Sequence, residues 1–213
     1  MRQDDLTLQD AEADAAAHLN AHLRAFRAHW DEARRGDDVP YRAHIDPRRI
    51  APLLPNAFVA ERIAPGVTRL RIAGLHLSEL MGMEVRGMPL CSLIAPAARE
   101  AFALHLVDLF DRPATLRMEL LGKGGLGRPE LRGTLLMLPL RSDLGDVSRA
   151  LGCLVTTGAT APGRTPRRFE IVNTRISAVD GAGDTGAFRV VAGGARLRAP
   201  DRSAGRAHLR VVT

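Results

Sequence analysis

Residues 135–140 read LLMLPL, and this run constrains the fold more than any other stretch of the chain. Side chains alternate between the two faces of a β-strand, so the run presents apolar groups on both faces. A sheet that is apolar on both faces needs a cover on each. The chain must therefore supply two sets of covering elements, and its 213 residues are enough to do so within one domain.

Two helices with apolar stripes are predicted to provide these covers. One occupies APAAREAFALHLVDLFDR and stops at Pro113; the other runs from about Leu6 to Arg35 and ends at Gly36. We expect the two helices to lie on opposite faces of the sheet, the N-terminal one in the same chain or across a dimer. The stripe of the N-terminal helix is also the predicted interface with a protein partner or a second copy, and it consists of Leu19, Leu23, Phe26 and Trp30.

The strand pattern predicts the fold class. Helical pieces fall between the second and third strands, which is typical of an α+β fold with a five-stranded antiparallel sheet. A proline-rich connector precedes the sheet and carries a helical turn at Pro47–Leu53, with Asp46 as its N-cap. The predicted strands are Ala57–Ile63, Thr68–Ala73, Ala114–Leu121, Glu130–Arg141 and Arg149–Thr157.

Several motifs resemble one known family. Between Arg69 and Ile94 the chain reads RLRIAGLHLSELMGMEVRGMPLCSLI, with an R-x-x-G hinge followed by E-L-x-G and G-x-x-L. With LLMLPLRSD, RALGCLV and the segment from His29 to Ile63, this resembles the stand-alone PAS-domain proteins of alphaproteobacteria, formerly a domain of unknown function. The resemblance covers roughly Trp30 to Val155. It implies a non-catalytic sensory or protein-interaction module that acts by ligand- or partner-driven conformational change, and it is tied to no single cofactor.

The resemblance also implies where a ligand would bind, between the sheet and the long helix. The alternative is that the same residues simply fill the core. Haem held by His105 is one cofactor option, because some PAS domains ligate haem from this helix; no cofactor is required by the sequence. The predicted lining residues are Ile72, Leu80, Leu90, Phe102, His105, Leu109, Met118, Met137 and Cys153.

Other chemistry finds little support in the residues. His18 and His22 are spaced for a metal and His29 follows, but no carboxylate or cysteine completes a site, so all three are interpreted as surface histidines. Cys91 lacks the motif of flavin-adduct domains, and with Cys153 it is interpreted as a small core residue. We find no nucleophile–base–acid set, and we predict neither an enzyme nor a metal site.

Charge divides the chain. Residues 1–36 are assigned to the N-terminal helix, 37–160 to the PAS-like domain and 161–213 to a basic, largely flexible tail, of which the short apolar patch RRFEIVNTRI could dock back onto the domain. The tail holds ten arginines against four acidic residues, which accounts for the whole net charge of +6. It could attract nucleic acid or an anionic surface, and this is the alternative function. No signal peptide or apolar run of membrane-spanning length is visible, so we expect a cytoplasmic protein.

Overall fold

The computed structural model of the chain describes residues 3–36, 38–125, 129–157 and 166–179. These residues form an α+β fold in which helices cover both faces of an antiparallel sheet, as the sequence predicts. The strand count is different, because the sheet has six strands rather than the five expected. No helix in these ranges is long and apolar enough to cross a membrane.

The elements follow the predicted order closely. The N-terminal helix is α1, and the connector contains two 3-10 helices, of which the longer, Pro47–Asn56, is called the connector helix. Its predicted N-cap is confirmed, because the Asp46 carboxylate accepts a hydrogen bond from the Arg48 backbone N–H. The bounds are α1 Gln3–Ala33, β1 Ala57–Ala64, β2 Val67–Ala73, α2 Leu75–Met81, α3 Arg99–Asp111, β3 Ala114–Gly122, β4 Leu131–Arg141, β5 Val147–Thr157 and β6 Glu170–Ala178, with further 3-10 helices at Arg42–His44, Leu90–Leu93 and Pro96–Ala98.

The strands lie in the order β2-β1-β5-β4-β3-β6, so β2 and β6 form the edges. The apolar run of β4 sits near the middle and serves two cores, as its sequence requires. Met137 points to what we call the inner face, which α2 and α3 cover, whereas Leu136 and Leu138 point to the outer face. Each face carries its own cluster of buried side chains, called the inner cluster and the outer cluster below.

Two glycines fix the turns around α2 for different reasons. Gly82 caps the helix with φ +67, a left-handed conformation that glycine adopts without strain. Gly74, which precedes the helix, has an ordinary φ of −71. It is glycine because the carbonyl groups of Leu54 and Pro55 lie where a β-carbon would stand. The end of the connector helix therefore packs directly on the backbone between β2 and α2.

The sixth strand lies within the residues assigned to the tail. It includes most of the apolar patch that could dock back, and residues 170–178 pair with β3 from Ala114 to Leu121. Phe169, just before the strand, is buried in the inner cluster and exchanges backbone hydrogen bonds of 2.8 Å with Leu93 and Ala95. Residues 180–213 lie outside the described ranges, so the tail-binding alternative falls mostly on residues that the structure does not describe. The other domain bounds stay predictions.

Candidate functional site

The inner face was the predicted place for a ligand. Six of the nine predicted lining residues meet there, all at most 4% exposed, as members of one packed cluster with Phe58 and Leu106. The sequence therefore predicted correctly that these six residues lie together on the inner face. Their role in holding a ligand stays a prediction. The six are Leu80, Leu90, Phe102, Leu109, Met118 and Met137.

Two predicted lining residues lie on the opposite face, and their placement was wrong. Strict alternation in the strand would place Leu70 and Ile72 on one face, but Ala60 pairs with Leu70 while Val59 pairs with Ile72. The extra residue is a β-bulge, which turns Ile72 to the outer face, where it is 51% exposed. Cys153 lies in the outer cluster, and burial raises the pKa of its thiol to about 12, so the thiol is unreactive.

His105 is half-buried on α3, and burial lowers its pKa, opposed by the charge of Asp108. A haem beside it would need open space between α3 and the sheet. Phe102, Leu106 and Leu109 on the same helix are at most 1% exposed, which leaves no water-sized gap against them. Haem therefore does not fit this arrangement of the inner face.

One grouping on the inner side has the outline of a catalytic triad. The Thr156 hydroxyl lies 3.0 Å from Nε2 of His76, and Nδ1 of that ring lies 3.8 Å from a Glu79 carboxylate oxygen. The second distance is too long for a hydrogen bond, so the carboxylate does not orient the ring. Burial lowers the pKa of His76, against the raising effect of Glu79. We read the grouping as a link between α2 and β5.

The outer face is covered by α1 of the same chain. Leu23, Phe26 and Trp30 are buried in the outer cluster, and Leu19 is partly buried beside it. The Trp30 indole N–H donates a 2.8 Å hydrogen bond to the carbonyl of Pro139 in β4. Of the two predicted arrangements, the chain adopts the one in cis. The stripe predicted as an interface is thus covered by its own sheet and is open to a partner only when α1 leaves.

Polar contacts hold the flanks of α1. The Arg27 guanidinium donates to the buried Thr115 hydroxyl at 3.0 Å, and that of Arg34 donates to the carbonyl of Val179 at 3.0 Å. Both guanidinium groups also lie over the Trp30 ring, at 5.2 and 5.4 Å from its centre. These cation–π contacts add a directional component to the apolar packing.

His29 joins α1 to the connector, which the sequence did not predict. It was interpreted as a surface histidine, but it is buried, and its Nε2 accepts a 3.0 Å hydrogen bond from the backbone N–H of Asp46. Its Nδ1 has no hydrogen-bond partner among the described residues. Burial and the charge of Arg49 lower its pKa, while Glu32 and Asp46 act in the opposite direction. The spacing of His29 three residues after Phe26, beside the apolar stripe of α1, is the sequence signal that could have indicated its burial.

A groove opens beside this junction, between the connector and the outer side of β1 and β2. It is a cavity of about 300 Å³. We call it the outer groove. Within the described ranges no group of three or more histidine, cysteine or acidic side chains could hold a metal ion. Residues lining the groove include Arg42, Ile45, Ile50, Leu54, Val59 and Ile72.

The comparison with protein families identifies the fold. Residues 19–155, well over half of the chain, match the sequence profile of the PAS domain. The chain belongs to the PAS domain family. At that level it is a sensory or signalling module, as the sequence predicts. The profile ends before β6, which lies outside the matched region.

Among solved structures the chain is similar to a light-oxygen-voltage domain from work on a flavin analogue, with 17% sequence identity and a TM-score of 0.37. The match covers 52% of this chain and 83% of that one. No curated protein matches the sequence.

Proposed function

We propose that this PAS domain is a non-catalytic signalling module whose moving part is α1. A partner or ligand that favours the released state of α1 would expose the outer cluster to a protein partner. A second copy of the chain is one such partner. The two free thiols, Cys91 and Cys153, suit the reducing cytoplasm, which is the location we propose.

The observation that carries the proposal is how α1 is attached. Three side chains, Leu23, Phe26 and Trp30, bury its apolar surface, and all three belong to the outer cluster. None belongs to the inner cluster, where α2 and α3 pack. The helix can therefore leave the outer face while the inner cluster keeps its contacts. The part that would remain is a sheet with α2 and α3 still in place.

Partner-driven release is favoured over a ligand in the interior. Inner-face side chains such as Phe102 and Met118 have no exposed surface, so a ligand there must displace packed groups. The outer cluster needs only the loss of one helix to become a surface. Apolar surface of that kind is what a partner protein recognises.

Native-state hydrogen exchange tests the proposal. We expect amides in residues 17–33 of α1 to exchange through an opening of lower free energy than those of α3, because α1 is held on one side only. The Trp30→Phe variant keeps an aromatic ring but loses the donor to Pro139, so α1 should exchange faster in it. Leu104→Ala, at an exposed position of α3, is the control and should change neither helix.

If the amides of α1 and α3 exchanged through openings of equal free energy, and Trp30→Phe changed neither value, the proposed release of α1 would be rejected. A second measurement distinguishes a ligand from a protein partner as the signal. It compares the native and denatured masses of the purified full chain and records its absorbance spectrum. A mass excess or visible band would indicate a bound ligand, whereas a clean mass in a dimer would indicate a protein-interaction module.

A further inference from the structure

We infer that the outer groove is a binding site for a small amphipathic carboxylate, with its apolar body in the groove and its carboxylate at Arg42. The groove lies on the face of the sheet opposite to the interior that the sequence predicted as a ligand site. It is bounded by the connector on one side and by the outer surface of β1 and β2 on the other.

The apolar body is indicated by the walls. Ile72 of β2 is 51% exposed and Leu54 of the connector helix is 42% exposed, and both line the same cavity. One exposed aliphatic side chain is ordinary on a protein surface. Two that converge over a floor of buried Ile50 and Leu151 form a concave apolar surface that water solvates poorly.

The size of the groove selects a small molecule rather than a helix. A cube of about 300 Å³ would have an edge of about 7 Å, which is less than the ~10 Å diameter of a helix with its side chains. The volume lies at the lower end of the range for small-molecule sites, about 300–1,000 Å³. A short alkyl chain or a single aromatic ring fits this space.

The charge of the ligand is indicated by Arg42. It is the one ionisable residue that lines the groove, and its side chain is exposed. The structure gives its guanidinium no ion pair with any described residue. A guanidinium can bind a carboxylate through two parallel hydrogen bonds. An anionic head group is therefore the polar end that the groove can recognise.

The walls are fixed before any ligand binds. At one end of the connector helix, the Asn56 side chain donates a 3.1 Å hydrogen bond to the carbonyl of Leu154. At the other end, the backbone N–H of Asp46 donates a hydrogen bond to Nε2 of His29 in α1. The carbonyl groups of Leu54 and Pro55 also pack against Gly74. A site with walls held in this way loses little entropy when it binds.

Octanoate added to the full-length chain tests the inference, with 1-octanol as the uncharged probe. We expect saturable NMR shifts centred on Ile50 and Ile72, and weaker binding of 1-octanol. Ile72→Asp should weaken octanoate binding at least tenfold, because it places a carboxylate beside the apolar body. The matched control is Val67→Asp on the same strand, at a residue that is 45% exposed and does not line the groove, and it should bind as the wild type does.

The head group is tested separately. Arg42→Gln should weaken octanoate binding about two- to fivefold and leave the binding of 1-octanol unchanged, because it removes an exposed ion pair, which contributes little to affinity. Arg86→Gln, outside the groove, should leave the binding of both octanoate and 1-octanol unchanged. Leu54→Asp repeats the wall test if Ile72→Asp fails to fold, as judged by circular dichroism.

Three results would overturn the inference. The first is the absence of saturable shifts at about 10 mM octanoate. The second is an equal loss of binding in Ile72→Asp and Val67→Asp, or an unchanged affinity in Arg42→Gln. The third is a set of shifts centred on Met118 and Met137, which would place octanoate in the interior of the domain.

Discussion

The covers on the two faces of the sheet rest on apolar clusters of different size, and both also carry hydrogen bonds, on the inner side between His76 and Thr156. On the inner face, α2 and α3 pack through a large cluster of aliphatic and aromatic side chains around Phe102 and Met137. On the outer face, α1 adds directional hydrogen bonds to a smaller cluster, from Trp30 to Pro139 and from Asp46 to His29. The outer cover therefore rests on fewer buried side chains and on a small number of directional contacts, and this is the basis of the proposed release of α1.

Truncation of one anchor on each face gives the largest expected effects. Phe102→Ala and Trp30→Ala should each lower the free energy that stabilises the cover on their own face by about 3–5 kcal/mol. In urea, Phe102→Ala should unfold in one transition at a lower midpoint, since the whole domain depends on the inner cluster. Trp30→Ala should lose helical circular dichroism first, as α1 detaches, and unfold the sheet later.

Leu104→Ala is the control for this comparison, because Leu104 lies on α3 but is exposed. It should change the free energy of unfolding by no more than about 0.5 kcal/mol. A single cooperative transition in Trp30→Ala, parallel to that of Phe102→Ala, would contradict the independence of the two covers.

A glycine on the inner face offers an intermediate effect. A β-carbon at Gly152 would overlap the ring of Phe58, which is itself buried and has no room to move. Gly152→Ala should therefore destabilise the domain by about 1–3 kcal/mol through overpacking. Gly133→Ala is the matched control, because its β-carbon would meet its neighbours at 3.4 Å or more.

A double-mutant cycle in urea measures this contact. In a Phe58→Ala background the extra methyl group at position 152 has space, so Gly152→Ala should cost much less there. Equal costs in the two backgrounds would show that Phe58 is not the group with which the methyl collides.

Acid should act on the outer cover through His29, with a smaller effect. Because its pKa is lowered on folding, the unfolded chain takes up the proton more readily than the folded one. The free energy of unfolding should therefore fall as pH drops below about 6.5, the ordinary value for histidine. Protonation also removes the lone pair with which Nε2 accepts the Asp46 N–H. Unfolding in urea at a series of pH values measures this effect.

His29→Gln should make this pH dependence shallower without abolishing it, because the pKa values of His76 and His105 are lowered as well. His22→Gln, at an exposed position of α1, is the control for replacing a histidine of the same helix. If His29→Gln and the wild type gave parallel stability curves against pH, His29 would not be the group through which acid loosens α1.

Much of the fold could be predicted because its signals are local. The apolar stripe of α1, the proline at the start of the connector helix and the alternation in β3 each specify an element from a short stretch. The two-sided apolar run of β4 even indicated that both faces are covered. From these the PAS arrangement and six of the nine interior positions followed.

What the sequence could not supply depends on contacts distant in the chain. The bulge that turns Ile72 outwards is set by pairing with β1. β5 is apolar on both faces, so the sequence pattern did not determine the face of the sheet on which Cys153 lies. β6 stands in an arginine-rich context, and its short apolar patch did not indicate the strand with which it pairs. The outer groove exists only where the connector meets β1 and β2, so no single stretch of sequence encodes it.

The position of β6 bears on how such a domain could be recombined during evolution. The region shared with the family stops at residue 155, yet β3 in this chain has its outer edge paired by a strand that begins at residue 170. A gene fusion cut at the shared boundary would lose Phe169 from the interior and leave β3 as a bare edge, open to pairing with other chains. In this protein the segment that matches the family is therefore shorter than the sheet to which its strands belong.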